Sequence, residues 1–447
     1  MRRTVALVMG ISAVLALTSA AGAAVLGGGA PPAARPEDTR SMITAVQDAE
    51  QVAAPTAGAG AGAVAPVTAM GGEDASPHRT GRAEAGRVES AHAVLGYLDA
   101  DRSTTLRYPG AEYVKVHFSQ LLLLPGDYLT VSDPKRTEVH RIDGDAVGSV
   151  LGNAGRWAMS VTGDTALVEL HSSDLDLLGL GATVAKLGVV IDKVSRGHTE
   201  PERAAASASY QKAKRAQART GREETICGSD QKADAVCYRT TEPVVYRRAK
   251  AVARMLIGGV ELCTAWRVGP RNLLLTNNHC VADKSETSDV EVWFNYQCAE
   301  CGGYDVFRPT KVWLSELITT DKTLDFSLFS VTDFPLVEKF GYLELDLRRP
   351  AKGEELYIPQ HPAGAPAMVA ISSDRDRAGN CAVESNDYDG YADDTDISYY
   401  CDTEGGSSGS PVLSRRTNKV IALHHFGGCP NSGVRMELVA KKLGALL

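Results

Sequence analysis

The first 226 residues of this 447-residue chain contain no cysteine, and all nine cysteines lie between Cys227 and Cys429. A disulfide-stapled fold is thereby excluded for the first half and expected for the second. An excess of basic charge is missing as well. Lys plus Arg number 47 against 55 Asp plus Glu, a net charge of −8, which argues against a generally basic nucleic-acid binder. The imbalance is local: residues 1–222 carry 23 basic and 23 acidic side chains, and residues 223–447 carry 24 and 32. Long apolar runs are scarce. Val5 to Leu17 follows Met1-Arg2-Arg3 and leads into Ala21-Gly22-Ala23. That run is shorter than the roughly 20 apolar residues a membrane span needs. Residues 1–23 therefore read as a cleaved signal peptide, and the expectation is a secreted, extracellular protein with no membrane or nucleic-acid partner.

Residues 24–90 are Ala, Gly and Pro with scattered charge, including Ala57-Gly58-Ala59-Gly60-Ala61-Gly62. They lack apolar periodicity and are predicted to form a disordered linker. Short alternating runs follow, such as Tyr113-Val114-Lys115-Val116-His117-Phe118 and Ala166-Leu167-Val168-Glu169-Leu170, punctuated by Pro125-Gly126 and Asp143-Gly144. They predict a small β-sandwich within a domain spanning 91–200, with a connector over 201–226. From Cys227 onward, runs at Ala251 to Ile257, Val260 to Val268 and Asn272 to Thr276 are broken at Gly258-Gly259 and Gly269-Pro270. This is the texture of an all-β barrel or sandwich over 227–447. Glu437 to Leu447 places Leu438, Val439, Leu443 and Leu446 at helical spacing, which predicts a short closing helix.

Three segments carry the chemistry: Leu275-Thr276-Asn277-Asn278-His279-Cys280, Thr323-Leu324-Asp325-Phe326-Ser327-Leu328 and Glu404-Gly405-Gly406-Ser407-Ser408-Gly409-Ser410-Pro411. A serine nucleophile needs a base to take its proton, and a carboxylate to hold that base in one tautomer and stabilise its cation. Ser408, His279 and Asp325 supply those groups, in the chain order His, Asp, Ser. The glycines beside Ser408 permit a tight turn, so that the amides of Gly406 and Ser408 form an oxyanion hole.

On these segments residues 227–447 resemble the chymotrypsin-type secreted serine endopeptidases of bacteria, the lysyl endopeptidases above all. Phe294-Asn295-Tyr296-Gln297 with Cys301, and Leu423-His424-His425-Phe426-Gly427-Gly428, extend the similarity. The resemblance implies an all-β chymotrypsin-like double β-barrel, here preceded by a small β-sandwich pro-domain. It implies protein or peptide substrates and synthesis as a precursor; a monomer is expected, and the chemistry implies no cofactor or metal. It also implies the disulfides Cys263–Cys280, Cys227–Cys429 and Cys237–Cys301, leaving Cys381–Cys401 as a local bridge. Cys298 is the remainder, either as a free thiol or in place of Cys301. Ser407 stands where trypsin-like zymogens have an Asp that captures the new N-terminal amine. Activation is therefore expected to follow from removal of the leader, with cleavage after Arg222.

The signals for specificity diverge. Asp402 lies six residues before Ser408, where trypsins place the pocket carboxylate that pairs with Lys or Arg, and Gly427 and Gly433 are expected to keep that pocket open. His425 with Thr403 resembles the pair by which glutamyl endopeptidases bind an acidic side chain. Residues 378–414 hold eight acids (Glu384, Asp387, Asp389, Asp393, Asp394, Asp396, Asp402 and Glu404) and no Lys or Arg. This tips the expectation toward cleavage after Lys or Arg. Asp387, Asp389 and Asp394 are the candidate calcium ligands, at a spacing unlike an EF-hand loop. The reading from another class is a binding protein that uses a protease-like domain as a scaffold.

Overall fold

The structure, a computed structural model, describes residues 82–99, 101–144, 155–172, 187–205 and 225–447. The signal peptide and most of the linker and connector expected from the sequence lie outside them. The described residues are predominantly β-strand, as the alternating runs predict.

The N-terminal region is a two-sheet sandwich. One sheet runs in the order Gly86–Gly96, Gly188–Gly197, Tyr113–Leu122, Arg156–Trp157, with Val161–Thr162 also on Tyr113–Leu122. The other runs Ser103–Arg107, Thr165–His171, Tyr128–Ser132, Val139–Asp143. Period-two alternation turns Val114, Val116 and Phe118 into a core shared with Leu129, Val131, Val168 and Ile191. One boundary differs from the sequence reading. Residues 83–84 and 86–90 are strand and not linker: Gly86–Gly96 pairs along most of its length with Gly188–Gly197, across one register shift, and Ala83–Glu84 pairs with another region altogether.

That region is the first of two barrels. Its strands run Glu261–Arg267, Val252–Ile257, Val290–Phe294, Thr310–Asp321, Phe326–Val331 and Leu274–Thr276, and pairing of the last with the first closes the barrel. The second runs Leu356–Gln360, Pro411–Ser414, Val420–Phe426, Asn431–Arg435, Asp396–Tyr399 and Val383–Tyr388, closed through the Glu355 to Ala382 bridge. Both barrels have continuously buried strands, which explains runs such as Val420–Phe426 that do not alternate. A third apolar cluster joins the barrels through Trp266, Leu275, Tyr357, Leu413 and Leu423. The closing helix spans Met436–Leu443, with Met436, Val439 and Leu443 buried. Four disulfides join Cys227 to Cys429, Cys237 to Cys301, Cys263 to Cys280 and Cys381 to Cys401. Cys298 is a buried free thiol.

Candidate active site

His279 sits in the turn after Leu274–Thr276, and Asp325 directly precedes Phe326–Val331, both in the first barrel. Ser408 sits in the turn before Pro411–Ser414 of the second. The interbarrel cluster is therefore what brings the three together. Asp325 adopts φ +48°, a left-handed conformation that Asp tolerates better than most residues. There its carbonyl oxygen accepts a bond from Asn277 Nδ2 at 2.8 Å. Its Oδ1 accepts from the His279 backbone amide at 2.9 Å, and its Oδ2 lies 2.8 Å from His279 Nδ1. His279 Nε2 lies 2.8 Å from Ser408 Oγ. With Nδ1–H donated to the carboxylate, Nε2 is left as the acceptor for the serine proton. The Cys263–Cys280 bridge ties the turn carrying His279 to the neighbouring strand.

The serine turn is locked from the first barrel. Thr264 N donates to the Ser408 carbonyl at 2.8 Å, and Thr264 Oγ1 to the Gly406 carbonyl at 2.8 Å. Gly406 and Gly409 take φ of +95° and +88°, and a Cβ on Gly409 would lie 2.1 Å from the Thr264 carbonyl oxygen, so the turn requires glycine there. Ser407 is held within the domain, its Oγ donating to Gln360 Oε1 at 2.5 Å and accepting from Glu404 N at 3.1 Å.

Asp325 carries a second imidazole that the sequence reading did not place there. His425, 2 % exposed, lies with Nδ1 3.2 Å from Asp325 Oδ2 and Nε2 2.7 Å from Asp396 Oδ2. Burial alone would lower its pKa, but the charge of Asp396 and the hydrogen bonds to both carboxylates outweigh it and push the pKa up to about 9. Asp325 and Asp396 move the other way. Burial would raise them, yet the facing imidazoles hold both below the usual carboxylate range. His425 thus sits inside the protein as a cation between two anions, with both ring nitrogens engaged by Asp325 and Asp396. The signal available in the sequence was the adjacent pair His424-His425: in a strand, neighbours point to opposite faces, and His424 turns instead to Tyr399, its Nδ1 2.7 Å from the hydroxyl oxygen.

The other expected specificity residues are also engaged internally. Asp402 is 2 % exposed, and its two carboxylate oxygens accept the backbone amides of Cys227 and Gln231, each at 2.8 Å. Burial raises its pKa. This differs from the expected anion that a substrate cation completes: the amides of the 227–231 segment already solvate it. Thr403 is fully buried and exchanges bonds with Thr225, its Oγ1 accepting from Thr225 N at 3.3 Å. Gly433 pairs with His424 and Ile397, and a Cβ there would meet the Leu423 carbonyl oxygen at 2.8 Å. Close strand packing, more than an open pocket, accounts for that glycine. Gly427 is buried at the end of Val420–Phe426. The acidic stretch is largely spent on internal partners, with Asp394 held by Arg349 and Arg435, Glu404 by Lys232 and Asp396 by His425. Asp394 is thereby removed from the candidate calcium set, because its carboxylate already faces two guanidinium groups.

Residues 263–423 match the family described as the trypsin-like peptidase domain. Over 336 residues the chain is 32% identical to "Secreted RxLR effector protein 73" of Plasmopara viticola, covering 72% of this chain and 77% of that protein. The chain therefore carries a trypsin-like peptidase domain over residues 263–423. Among solved structures it is similar to a Glu endopeptidase in complex with MPD, at 19% identity and a TM-score of 0.37 over 49% of this chain and 98% of that one. It is also similar to the active form of the Rv3671c protease of M. tuberculosis, at 15% identity and a TM-score of 0.35 over 46% of this chain and 85% of that one. Within the trypsin-like domain, the matched residues 263–423 include His279, Asp325 and Ser408.

Proposed function

We propose that the chain is a secreted serine endopeptidase, made as a precursor, that cleaves peptide bonds through an acyl-enzyme on Ser408. The observation that carries this is the position of His279, whose two ring nitrogens each lie 2.8 Å from a partner on a separate segment, Asp325 and Ser408. His279 takes the Ser408 proton as Oγ attacks the carbonyl carbon, and returns it to the departing amine. Asp325 fixes the tautomer and stabilises the transient imidazolium. The amides of Gly406 and Ser408 are assigned to the oxyanion. A water deprotonated by His279 then releases the acyl group. The bound Ser407 hydroxyl supports an activation that does not depend on a new N-terminal amine at that residue, with cleavage after Arg222 as the processing step. Four disulfides support an oxidising, extracellular destination.

The test is hydrolysis of matched peptides carrying Lys, Arg, Glu or Phe before the bond, by the secreted protein and by Ser408→Ala. The expected result is cleavage that falls by roughly 10⁴-fold to 10⁶-fold in the variant. Undiminished cleavage by Ser408→Ala would remove the serine from the mechanism. With Asp402 and His425 both engaged internally, the same panel reads the side-chain preference directly.

A further inference from the structure

The segment that leads into the N-terminal sandwich lies against the catalytic turn. Ala83–Glu84 adds as an antiparallel strand to Glu261–Leu262, in the register Ala83 to Leu262 and Glu84 to Glu261. Ala83 Cβ lies 3.5 Å from where a Cβ on Gly406 would be, so this strand borders the turn that carries Ser408. Arg82 reaches further in. Its Nε donates to the His279 carbonyl oxygen at 2.9 Å and its Nη2 to the Cys280 carbonyl oxygen at 2.8 Å. Nη1 meets Glu261 Oε2 at 2.5 Å, and Nη2 lies 3.5 Å from Glu286 Oε2. The Arg82 side chain is only 9% exposed. Glu286 is preorganised for this, because its Oε2 also accepts the Ala282 amide at 2.8 Å.

The direction of the chemistry tells which part of a substrate would use this place. The base that protonates the departing amine is His279, so the residues that leave with the amine emerge on the His279 side of Ser408. An extended peptide there would pair with the strand edge at Glu261–Leu262, as strand-adding ligands do. Two carbonyl oxygens and two carboxylates arranged around one planar fork suit a guanidinium.

We propose that Glu261, Glu286 and the carbonyls of His279 and Cys280 form a subsite for an arginine side chain on the leaving-group side of the cleaved bond, and that Arg82 fills it from within the same chain. The proposal rests on the serine-peptidase reading. While Arg82 is seated, the N-terminal segment competes with substrate for the leaving-group half of the cleft.

The test uses the full chain, its Arg82→Gln variant, and Arg82→Gln combined with Glu261→Gln and Glu286→Gln. Each is given two peptides identical except for Arg or Ala just after the cleaved bond. A fluorophosphonate probe, which acylates an activated serine and needs no leaving-group residues, reports the state of Ser408 separately. Charge-assisted hydrogen bonds of this kind correspond to roughly 10- to 100-fold. Arg82→Gln is therefore expected to raise kcat/KM for the Arg peptide by about that factor, and to prefer it over the Ala peptide. The combined variant is expected to lose the preference while labelling with the probe at the Arg82→Gln rate. Equal rates on both peptides in Arg82→Gln, with normal probe labelling, would overturn the subsite alone. Neither labelling nor cleavage by any form would overturn the catalytic reading and the subsite with it.

Discussion

The buried cation at His425 makes stability depend on pH in a direction that can be worked out. Its folded pKa of about 9 stands above the ordinary 6.5, a difference that amounts to about 3 kcal/mol. Because the folded value is the higher one, the stabilisation is fully present below pH 6.5 and is lost as the pH rises through about 9. The groups that set it are Asp325 and Asp396, the latter also accepting Ser432 Oγ at 2.8 Å, with Tyr391 and Phe426 packed on the ring. The measurement is urea unfolding at pH 6 and pH 9.5, in a Ser408→Ala background to prevent self-digestion, followed by the fluorescence of buried Trp266 and Trp293. Between those pH values the parent should lose about 3 kcal/mol more than His425→Gln, whose amide does not titrate. An equal loss in both proteins would mean that His425 is not held as a cation and that Asp325 bears its charge without this compensation.

Two further outcomes follow from other buried groups. Lys115 of the sandwich is fully buried against Glu291 of the first barrel at 2.7 Å, with Asp289 as a second partner. Glu291 also accepts from Ser160 Oγ and Trp293 Nε1. Lys115→Met leaves a buried carboxylate one cation short and should cost about 3 to 5 kcal/mol in unfolding experiments. A change under about 1 kcal/mol would show the interface to be insensitive to this pair. Cys298 is 5% exposed, and burial, with help from Asp234, pushes its thiol pKa up to about 11. A disulfide-exchange reagent at pH 8 should leave the native protein unlabelled and modify a single thiol once guanidinium unfolds it. Rapid native labelling would contradict the burial of Cys298, and more than one thiol after unfolding would contradict the pairing of the other eight cysteines.

The parts of the fold legible in the sequence were those written in local pattern. Alternation at Tyr113 to Phe118 gave the sandwich, and glycine punctuation at 258–259 and 269–270 gave the barrel turns. The residues His279, Asp325 and Ser408 could be assembled because each sits in a short segment whose neighbours serve the same role, as Asn277 and Gly409 do. What could not be read was the partner of a lone charged side chain, because pairing across about 100 or 200 positions leaves no local trace. Asp402 looks like a pocket anion until the amides of Cys227 and Gln231, 175 and 171 positions away, are seen on its oxygens. His425 looks like a substrate ligand until Asp325 and Asp396 are seen on its nitrogens. The strand at 83–84 was hidden for a related reason: two residues carry no periodicity, and their partner strand is remote.

The proposed roles of Arg82 and Arg222 bear on each other. Hydrolysis after Arg222 breaks the covalent link between sandwich and protease domain, but it leaves the contacts that seat Arg82 in place. Glu112 bonds Arg254 at 3.2 Å, and Tyr113 donates to the Gly259 carbonyl oxygen at 2.8 Å. Lys115 holds Glu291, and His198 N holds the Ala85 carbonyl oxygen at 2.8 Å, directly beside the strand that occupies the cleft. A segment tethered to a docked domain competes at an effective concentration of the order of millimolar, so it outcompetes dilute substrate even when its own affinity is modest. Cutting the chain converts that tether into a non-covalent complex. Release of the leaving-group cleft then depends on unseating Arg82, and undocking of the sandwich, which the buried Lys115–Glu291 pair resists, adds to that release.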